Sequence, residues 1–416
     1  MKVLIAGAGI AGLVLALKLQ HMGVEVEVFE TSREIRPLGV GINLLPHAVA
    51  VLESIGLRDA VAERAIETSS LHYFNKFGQP VWSEPRGLAA GYPVPQFSVH
   101  RGEFQVLLYQ TALERLGAGA IRLGHTFAGF AQDAGGVTAT FRREDGSTVE
   151  ARGDMLVGAD GIHSAVRKAL YPDDAPTRFA GRMLWRGVTE TTPFLDGRTM
   201  FMAGHQDQKF VCYPISEPLR RDGRSRINWI AELRVPGDTP PRTDWNKKVD
   251  KSVFAGAFAD WRWDWIDIPA VLEGAAAVYE FPLVDRDTLP RWTFGRVTLM
   301  GDAAHAMYPI GSNGSAQAIV DAAYFAECLG LLRDRRLSSI EHALLEYEAD
   351  RLPKTTGIVL RNRLNGPEQV MQIAEERAPD GFARGVEDAI PRAELEEIAA
   401  RYKRVAGFDV ERLRTV

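Results

Sequence analysis

The chain opens on a short apolar stretch, MKVLI at positions 1–5 with Lys2 its one charge, and passes directly into a glycine-rich turn. A run that short predicts a single buried strand. Apolar positions continue to about Met22 and predict a buried helix. From Val24 to Glu30 apolar and acidic residues then alternate with the period of two of a half-buried strand. Pro46 stands where the first turn of a helix accepts proline, and that helix is expected to end near Gly56. A strand is expected at 71–77, a loop rich in Pro and Gly at 84–96, and an amphipathic helix from Arg101 to about Leu116. Asp145-Gly146 between alternating segments signals a hairpin, and residues 155–159 form a buried strand leading into Asp160-Gly161. Alternation of period two dominates from about 176 to 275, with strands expected at 183–188, 199–203, 210–213 and 227–235 and a charged, solvated hairpin tip at Arg220-Arg-Asp-Gly-Arg224. A strand at 297–300 and a helix from about 314 to 332 follow, and the remaining text is helical and charged.

These elements predict an α/β chain with a discontinuous, Rossmann-like dinucleotide-binding domain at residues 1–73, 98–175 and 276–360. An antiparallel-sheet substrate domain, residues 74–97 and 176–275, is inserted into it, and residues 361–416 form a C-terminal helical segment. The first unit carries the clearest chemistry. Gly7-Ala8-Gly9-Ile10-Ala11-Gly12 lies between strand and helix, and the next strand ends on Glu30. In a dinucleotide-binding βαβ unit, Gly7 permits the tight turn, Gly9 lets backbone N–H groups approach a pyrophosphate, and Gly12 lets helix pack on strand. Glu30 is placed to accept from ribose hydroxyls. This unit alone does not separate FAD from NAD.

Composition narrows the class. A formal charge of −5, with 46% apolar and 25% charged residues, is that of an ordinary globular protein and gives no reason to expect nucleic acid or an anionic membrane as partner. No apolar run approaches the ~20 residues of a membrane span. The chain enters a strand directly rather than a signal peptide. The two cysteines, Cys212 and Cys328, are far apart and belong to no metal motif, which fits a reducing, cytoplasmic setting. A monomer or homodimer is expected.

Two further stretches pair a buried strand with an acid and a glycine. Val157-Gly-Ala-Asp160-Gly161-Ile-His-Ser164-Ala-Val-Arg167 is strand, Asp-Gly, then helix, and Asp160 there is equally readable as a helix cap. Leu299-Met-Gly301-Asp302-Ala-Ala-His305-Ala-Met-Tyr-Pro309-Ile-Gly311-Ser-Asn313-Gly314 runs from strand through Gly-Asp to a loop that opens a long helix. Asp302 can accept from a ribityl or ribose hydroxyl, and the N–H groups of Gly311 to Gly314 collect partial positive charge at a helix start.

Together these three stretches resemble the class A flavoprotein monooxygenases, the para-hydroxybenzoate hydroxylase-like group. The resemblance covers residues 1 to about 360 and implies FAD as bound cofactor, NAD(P)H as transient reductant, O2 as co-substrate and a small aromatic substrate. It implies hydroxylation through a flavin C4a-hydroperoxide, without a protein nucleophile or metal. It assigns FAD contacts to Gly7, Gly9, Gly12, Glu30, Arg101, Asp160, Asp302, Gly311 and Asn313. Val40 and Gly41 are placed along the isoalloxazine edge, and Leu123 beside the adenine. The stretches Glu34-Ile-Arg-Pro-Leu-Gly-Val-Gly-Ile-Asn43, Trp82-Ser-Glu-Pro-Arg-Gly87, Trp185-Arg-Gly-Val-Thr-Glu190 and Val284-Asp-Arg-Asp287 resemble the phenazine-modifying branch of the family. That branch implies a phenazine or other aromatic carboxylate, hydroxylated with loss of carbon dioxide. The match is loose between Asp196 and Val278, the region that shapes a substrate pocket.

Met200, Met202, Phe210 and Tyr213 alternate on strands; most belong to a core, and Met202 and Tyr213 are the expected pocket residues. Arg186 and His205 are weaker candidates for a substrate carboxylate. His47 and His305 read as structural, and Asn43 stands where some relatives carry a histidine base. Trp263-Asp-Trp265-Ile-Asp-Ile268-Pro269 resembles the flavin-halogenase signature with one residue too many and is expected to be a packed helix. A flavin-dependent halogenase and a non-catalytic flavin-binding module are the two alternative functions.

Overall fold

The computed structural model describes residues 1–237, 239 and 248–406. The apolar N-terminal strand, Lys2–Ala6, becomes the centre of a five-stranded parallel sheet ordered Val297–Leu299, Met155–Gly158, Lys2–Ala6, Glu25–Glu30, Ile121–Leu123. Strands buried on both faces carry little polar patterning, and in Lys2–Ala6 only Lys2, at the half-buried start, is polar. The helix Ile10–His21 is apolar nearly all round and is accordingly enclosed, between the helices Arg101–Leu116 and Gly314–Arg333. Thr126–Asp133, Gly136–Arg142 and Thr148–Gly153 form a separate antiparallel sheet, with the expected hairpin at Asp145-Gly146. Three short strands, Gly41–Leu44, Phe97–His100 and Ile66–Glu67, form another.

The second large sheet has seven strands in the order Val278–Asp285, Arg178–Thr191, Ser225–Arg234, Gln208–Pro214, Thr199–His205, Ser70–Phe74, Pro80–Pro85. It is antiparallel except for one parallel pair, Thr199–His205 with Ser70–Phe74. That pair joins segments more than a hundred residues apart, so no hairpin constrains their sense. The sheet also takes in residues 70–73 and 278–285, which the sequence pattern alone assigns to the dinucleotide domain. Alternation sorts its side chains cleanly. Phe201, Phe210, Trp185 and Trp229 point to an outer aromatic layer, while Met200, Met202, Val211 and Tyr213 point inward towards the parallel-sheet domain. Phe210 is therefore on the opposite face from the other three alternating candidates.

Two local expectations are corrected. The segment expected as one packed helix is a two-strand hairpin, Arg262–Trp263 with Ile266–Asp267, leading into the helix Ile268–Glu273, whose N-cap is Asp267. Its tryptophans pack on the outer layer; Trp265 lies 4.7 Å from Phe74 and 4.9 Å from Phe201 between ring centres. The charged stretch expected at a hairpin tip, residues 220–224, is instead partly coiled into the short helix Glu217–Arg221. The C-terminal helices Gln369–Arg377 and Arg392–Ala406 cover the inner face of the seven-stranded sheet, and residues 407–416 lie outside the described residues.

One buried carboxylate fixes the turn after the strand Val297–Leu299. Asp321 is fully buried, and its oxygens meet the Gly301 N–H at 3.1 Å, His305 Nε2 at 2.6 Å and Arg351 Nε at 2.8 Å. Burial raises its pKa, but attraction to His305 and Arg351 outweighs burial and holds it at about 2. A carboxylate whose pKa is lower folded than unfolded stabilises the fold above its unfolded value of about 4 and loses that contribution as pH falls through the folded value. Asp321→Asn is expected to cost about 3–5 kcal/mol in urea unfolding at pH 7, because Arg351 is left buried without its counter-charge. It should also flatten the loss of stability on acidification below about pH 4. A midpoint equal to that of the parent chain at pH 7 would refute the assignment.

Candidate active site

Between the parallel sheet and the long helices runs an open groove of about 530 Å³, lined by Gly7, Gly9, Glu30, Arg101, Asp160 and Asp302 among others. The glycines that shape it do different work. Gly7 has φ +106°, and a Cβ there would lie 2.4 Å from the Ala159 carbonyl oxygen. A Cβ on Gly12 would lie 2.0 Å from the Gly7 oxygen, so only glycine lets the helix start so close to the turn. A Cβ on Gly9 would meet nothing within 4 Å; it would project into free space. The helices Ile10–His21 and Gly314–Arg333 both begin at the groove, and neither has an acid in its first turn, so their N-terminal partial charge is uncompensated.

Carboxylates fix the other turns. Glu30 accepts from the Ala8 and Ser32 N–H groups, both at 2.8 Å, tying the glycine turn to the end of the second strand. Gln105, which the sequence pattern did not single out, donates to the Ala8 carbonyl at 2.9 Å. Asp160 accepts from the Ala165 and Val166 N–H groups at 2.7 and 3.2 Å and from the Ser164 hydroxyl. Its side chain therefore caps the helix Ala165–Leu170, and burial pushes its pKa upward against those hydrogen bonds. Behind it, Arg167 is 1% exposed and bonds Asp174 at 2.7 Å, and Arg286 bonds the same carboxylate at 2.6 Å. Asp302 begins the helix Asp302–His305 and lines the groove directly. Arg101 donates its N–H to the Val40 carbonyl at 2.8 Å, and its side chain reaches the groove without an ion-pair partner among the described residues. Leu123 pairs with Glu30 in the sheet and packs into the core; His125, two residues on, lines the groove.

A second, much narrower cavity of about 20 Å³, room for about one water, lies where the seven-stranded sheet meets the loop after Pro309. Leu45, Leu71, Met200 and Met202 wall it, and Gly311 and Ser312 form its boundary on the loop side. Asn43 holds this boundary: its amide donates to Ser312 Oγ at 3.1 Å, and its carbonyl oxygen accepts from Ser98. Asn313 is fully buried and donates to the Gly311 carbonyl and to the Tyr402 hydroxyl, at 3.1 and 2.9 Å. Tyr402, from the last described helix, also lies over Gly311, where a Cβ would sit 2.1 Å from its hydroxyl. Tyr213 is separate from this cavity. It packs with Asn228 against Gly41, whose N–H donates to Asn228 Oδ1 at 2.7 Å and whose carbonyl accepts from Arg186 at 3.2 Å. His205 accepts from the Asp207 N–H at 3.3 Å, away from both cavities. His47 is held at a pKa of about 3 by burial and by Arg351, so it is neutral, and Tyr213 is pushed up to about 12 by burial.

An open groove that begins at two helix N-termini, bounded by a glycine with free space and by Glu30 and Asp302, fits the pyrophosphate and hydroxyls of an extended dinucleotide. Residues 1–362 match the FAD binding domain family, and the chain belongs to that family as an FAD-dependent aromatic monooxygenase. It is 46% identical over 366 residues to the phenazine 1,6-dicarboxylic acid hydroxylase PhzS of Lysobacter antibioticus, covering 87% of this chain and 89% of that one. It is 32% identical over 422 residues to the 3-amino-4-hydroxybenzoate 2-monooxygenase of Streptomyces cremeus, covering 98% and 96%. Its fold matches Klebsiella pneumoniae HpxO, solved with FAD and uric acid, with a TM-score of 0.71 at 23% identity over 100% of this chain and 95% of that one. The halogenase alternative finds no support: these relatives are oxygenases, and the tryptophan hairpin packs on the sheet face away from both cavities. No helix among the described residues is long and apolar enough to cross a membrane.

The glycines give a test that separates binding from folding. Gly9→Ala is expected to change urea unfolding of the apoprotein by no more than the ~1 kcal/mol of a weaker helix cap, yet to weaken FAD binding measured by flavin fluorescence. Gly12→Ala is expected to destabilise the apoprotein itself by about 1–3 kcal/mol through overpacking. Equal effects of the two changes on apoprotein stability would contradict this division.

Proposed function

We propose that this monooxygenase hydroxylates a planar, carboxylated aromatic of the phenazine type, with NAD(P)H as reductant and O2 as the oxygen source. The observation that carries this reading is the narrow cavity walled by Leu71, Met200 and Met202 and bounded by Gly311 and Ser312, whose flexible methionine side chains must move aside to admit a ring. Polarisable thioethers suit contact with an aromatic ring, and a chain 46% identical is named for a phenazine dicarboxylate. In this reading Gly7, Gly9 and Glu30 hold the ADP half of FAD. Asp302 and Gly314 hold its central part, and the backbone of Gly311 and Ser312 meets the isoalloxazine ring. FAD, when bound, supplies the hydride acceptor and the activation of oxygen that side chains lack.

The remaining work falls to the chain. The methionine and leucine walls exclude water, Asn43 keeps the loop against the substrate sheet, and the buried Tyr213 hydroxyl stays protonated. One oxygen atom enters the ring and the other leaves as water. Where the attacked carbon bears a carboxylate, carbon dioxide departs as the ring regains aromaticity. Two buried, unpaired cysteines suit a cytoplasmic setting.

The test is a screen of phenazine carboxylates, benzoates and hydroxybenzoates with the FAD-loaded protein. It scores NAD(P)H oxidation together with oxygenated product. Phenazine carboxylates are expected to accelerate oxidation and yield a hydroxylated phenazine. Turnover confined to single-ring acids would reject the substrate assignment.

A further inference from the structure

The strand Pro80–Pro85 and the residue after it carry charge into the wall of the narrow cavity. Arg86 is 9% exposed and bonds Glu84 at 2.5 Å through Nη2. Glu84, 6% exposed, also faces Lys403 of the C-terminal helix at 2.5 Å. One carboxylate is thus shared by two cations, and this wall of the cavity holds a net positive charge. Glu368, whose charge also reaches Tyr73, is taken up by Lys209 at 2.6 Å. Two donors at the same wall are buried and have no acceptor: Arg86 Nε and the Tyr73 hydroxyl. Each buried donor left without an acceptor carries a cost. A ligand that brings an anionic acceptor relieves both costs at once.

The opposite end of the cavity is Gly311 and Ser312, and Leu71, Met200 and Met202 lie between. We infer that Arg86, assisted by the Tyr73 hydroxyl, anchors the carboxylate of the aromatic substrate and so sets which ring carbon faces the Gly311–Ser312 loop. This rests on the carboxylated aromatic substrate proposed above. The anion takes its bonds from Arg86 Nε and Tyr73 Oη, leaving the Arg86–Glu84–Lys403 chain in place.

The test is a spectral titration of the oxidised, FAD-loaded protein with phenazine-1-carboxylate and with the uncharged phenazine-1-carboxamide, alongside Arg86→Gln and Tyr73→Phe. The parent is expected to bind the carboxylate at least about tenfold more tightly than the amide, the scale of a charge-assisted hydrogen-bond pair. Arg86→Gln should abolish that preference while leaving amide binding and FAD content unchanged. If Arg86→Gln does not fold, Tyr73→Phe, which removes one donor at nearly constant volume, should still lower carboxylate binding selectively. A parent without preference for the carboxylate overturns the assignment, as does a variant that loses both ligands equally or neither. Failure of the proposed function reads out separately, as the absence of phenazine-stimulated NAD(P)H oxidation with product in the parent.

Discussion

A carboxylate accepting from backbone N–H groups is the interaction on which this molecule's organisation depends. It occurs at each of the turns that border the groove. Glu30 holds Ala8 and Ser32, Asp160 holds Ala165 and Val166, and Asp321 holds Gly301. A glycine-rich turn has too much freedom to keep its N–H groups aimed at a ligand; a charged acceptor fixed in the protein removes that freedom before binding. The cost is four acids, Asp302 included, near a site meant for an anion. It is contained by pairing Asp321 with Arg351 and by turning the Asp160 carboxylate onto a helix start, while two acid-free helix N-termini and Arg101 face the groove. The balance at the groove therefore favours a pyrophosphate.

The groove and the narrow cavity share one short segment, the loop from Pro309 to Gly314. Its flanks are fixed from three sides: Asn43 from the strand Gly41–Leu44, Tyr402 from the last described helix, and Asn362 on the Tyr402 hydroxyl at 2.9 Å. Gly311, at φ +68°, leaves room for the tyrosine that covers it. The C-terminal helix is thus part of the site's architecture. It closes the cavity with the same turn that carries Lys403 to Glu84.

The sequence was most readable where a single residue type answers a single geometric demand. The first βαβ unit, the hairpin at Asp145-Gly146 and the helix starting at Arg101 follow from glycine placement and hydrophobic period. Legibility failed where pairing is long-range. The strand Ser70–Phe74 joins Thr199–His205 across more than a hundred residues, and no local pattern signals that. Asp321, Arg351 and Tyr402 were invisible for the same reason, since each looks like an ordinary polar position on a helix until the fold brings its partner. Alternation marked Met200, Met202, Phe210 and Tyr213 as special, but only the register of the sheet puts Phe210 on the outer face.

Three polar side chains between the two sheets bear on how the work is divided. His47 is neutral at any pH above about 3, Tyr213 stays protonated up to about 12, and Asn43 cannot carry a proton at all. None changes charge across the neutral range, so none is poised as a general acid or base there. The neighbourhood is instead built to hold shape and charge fixed: a dry methionine wall, a locked loop and a cation excess at one end. A site of that kind discriminates between substrates by where their ring and their charge can sit. On the function proposed above, selectivity resides in the sheet and the C-terminal helix and cofactor binding in the glycine turns, so that the two can diverge independently on one scaffold.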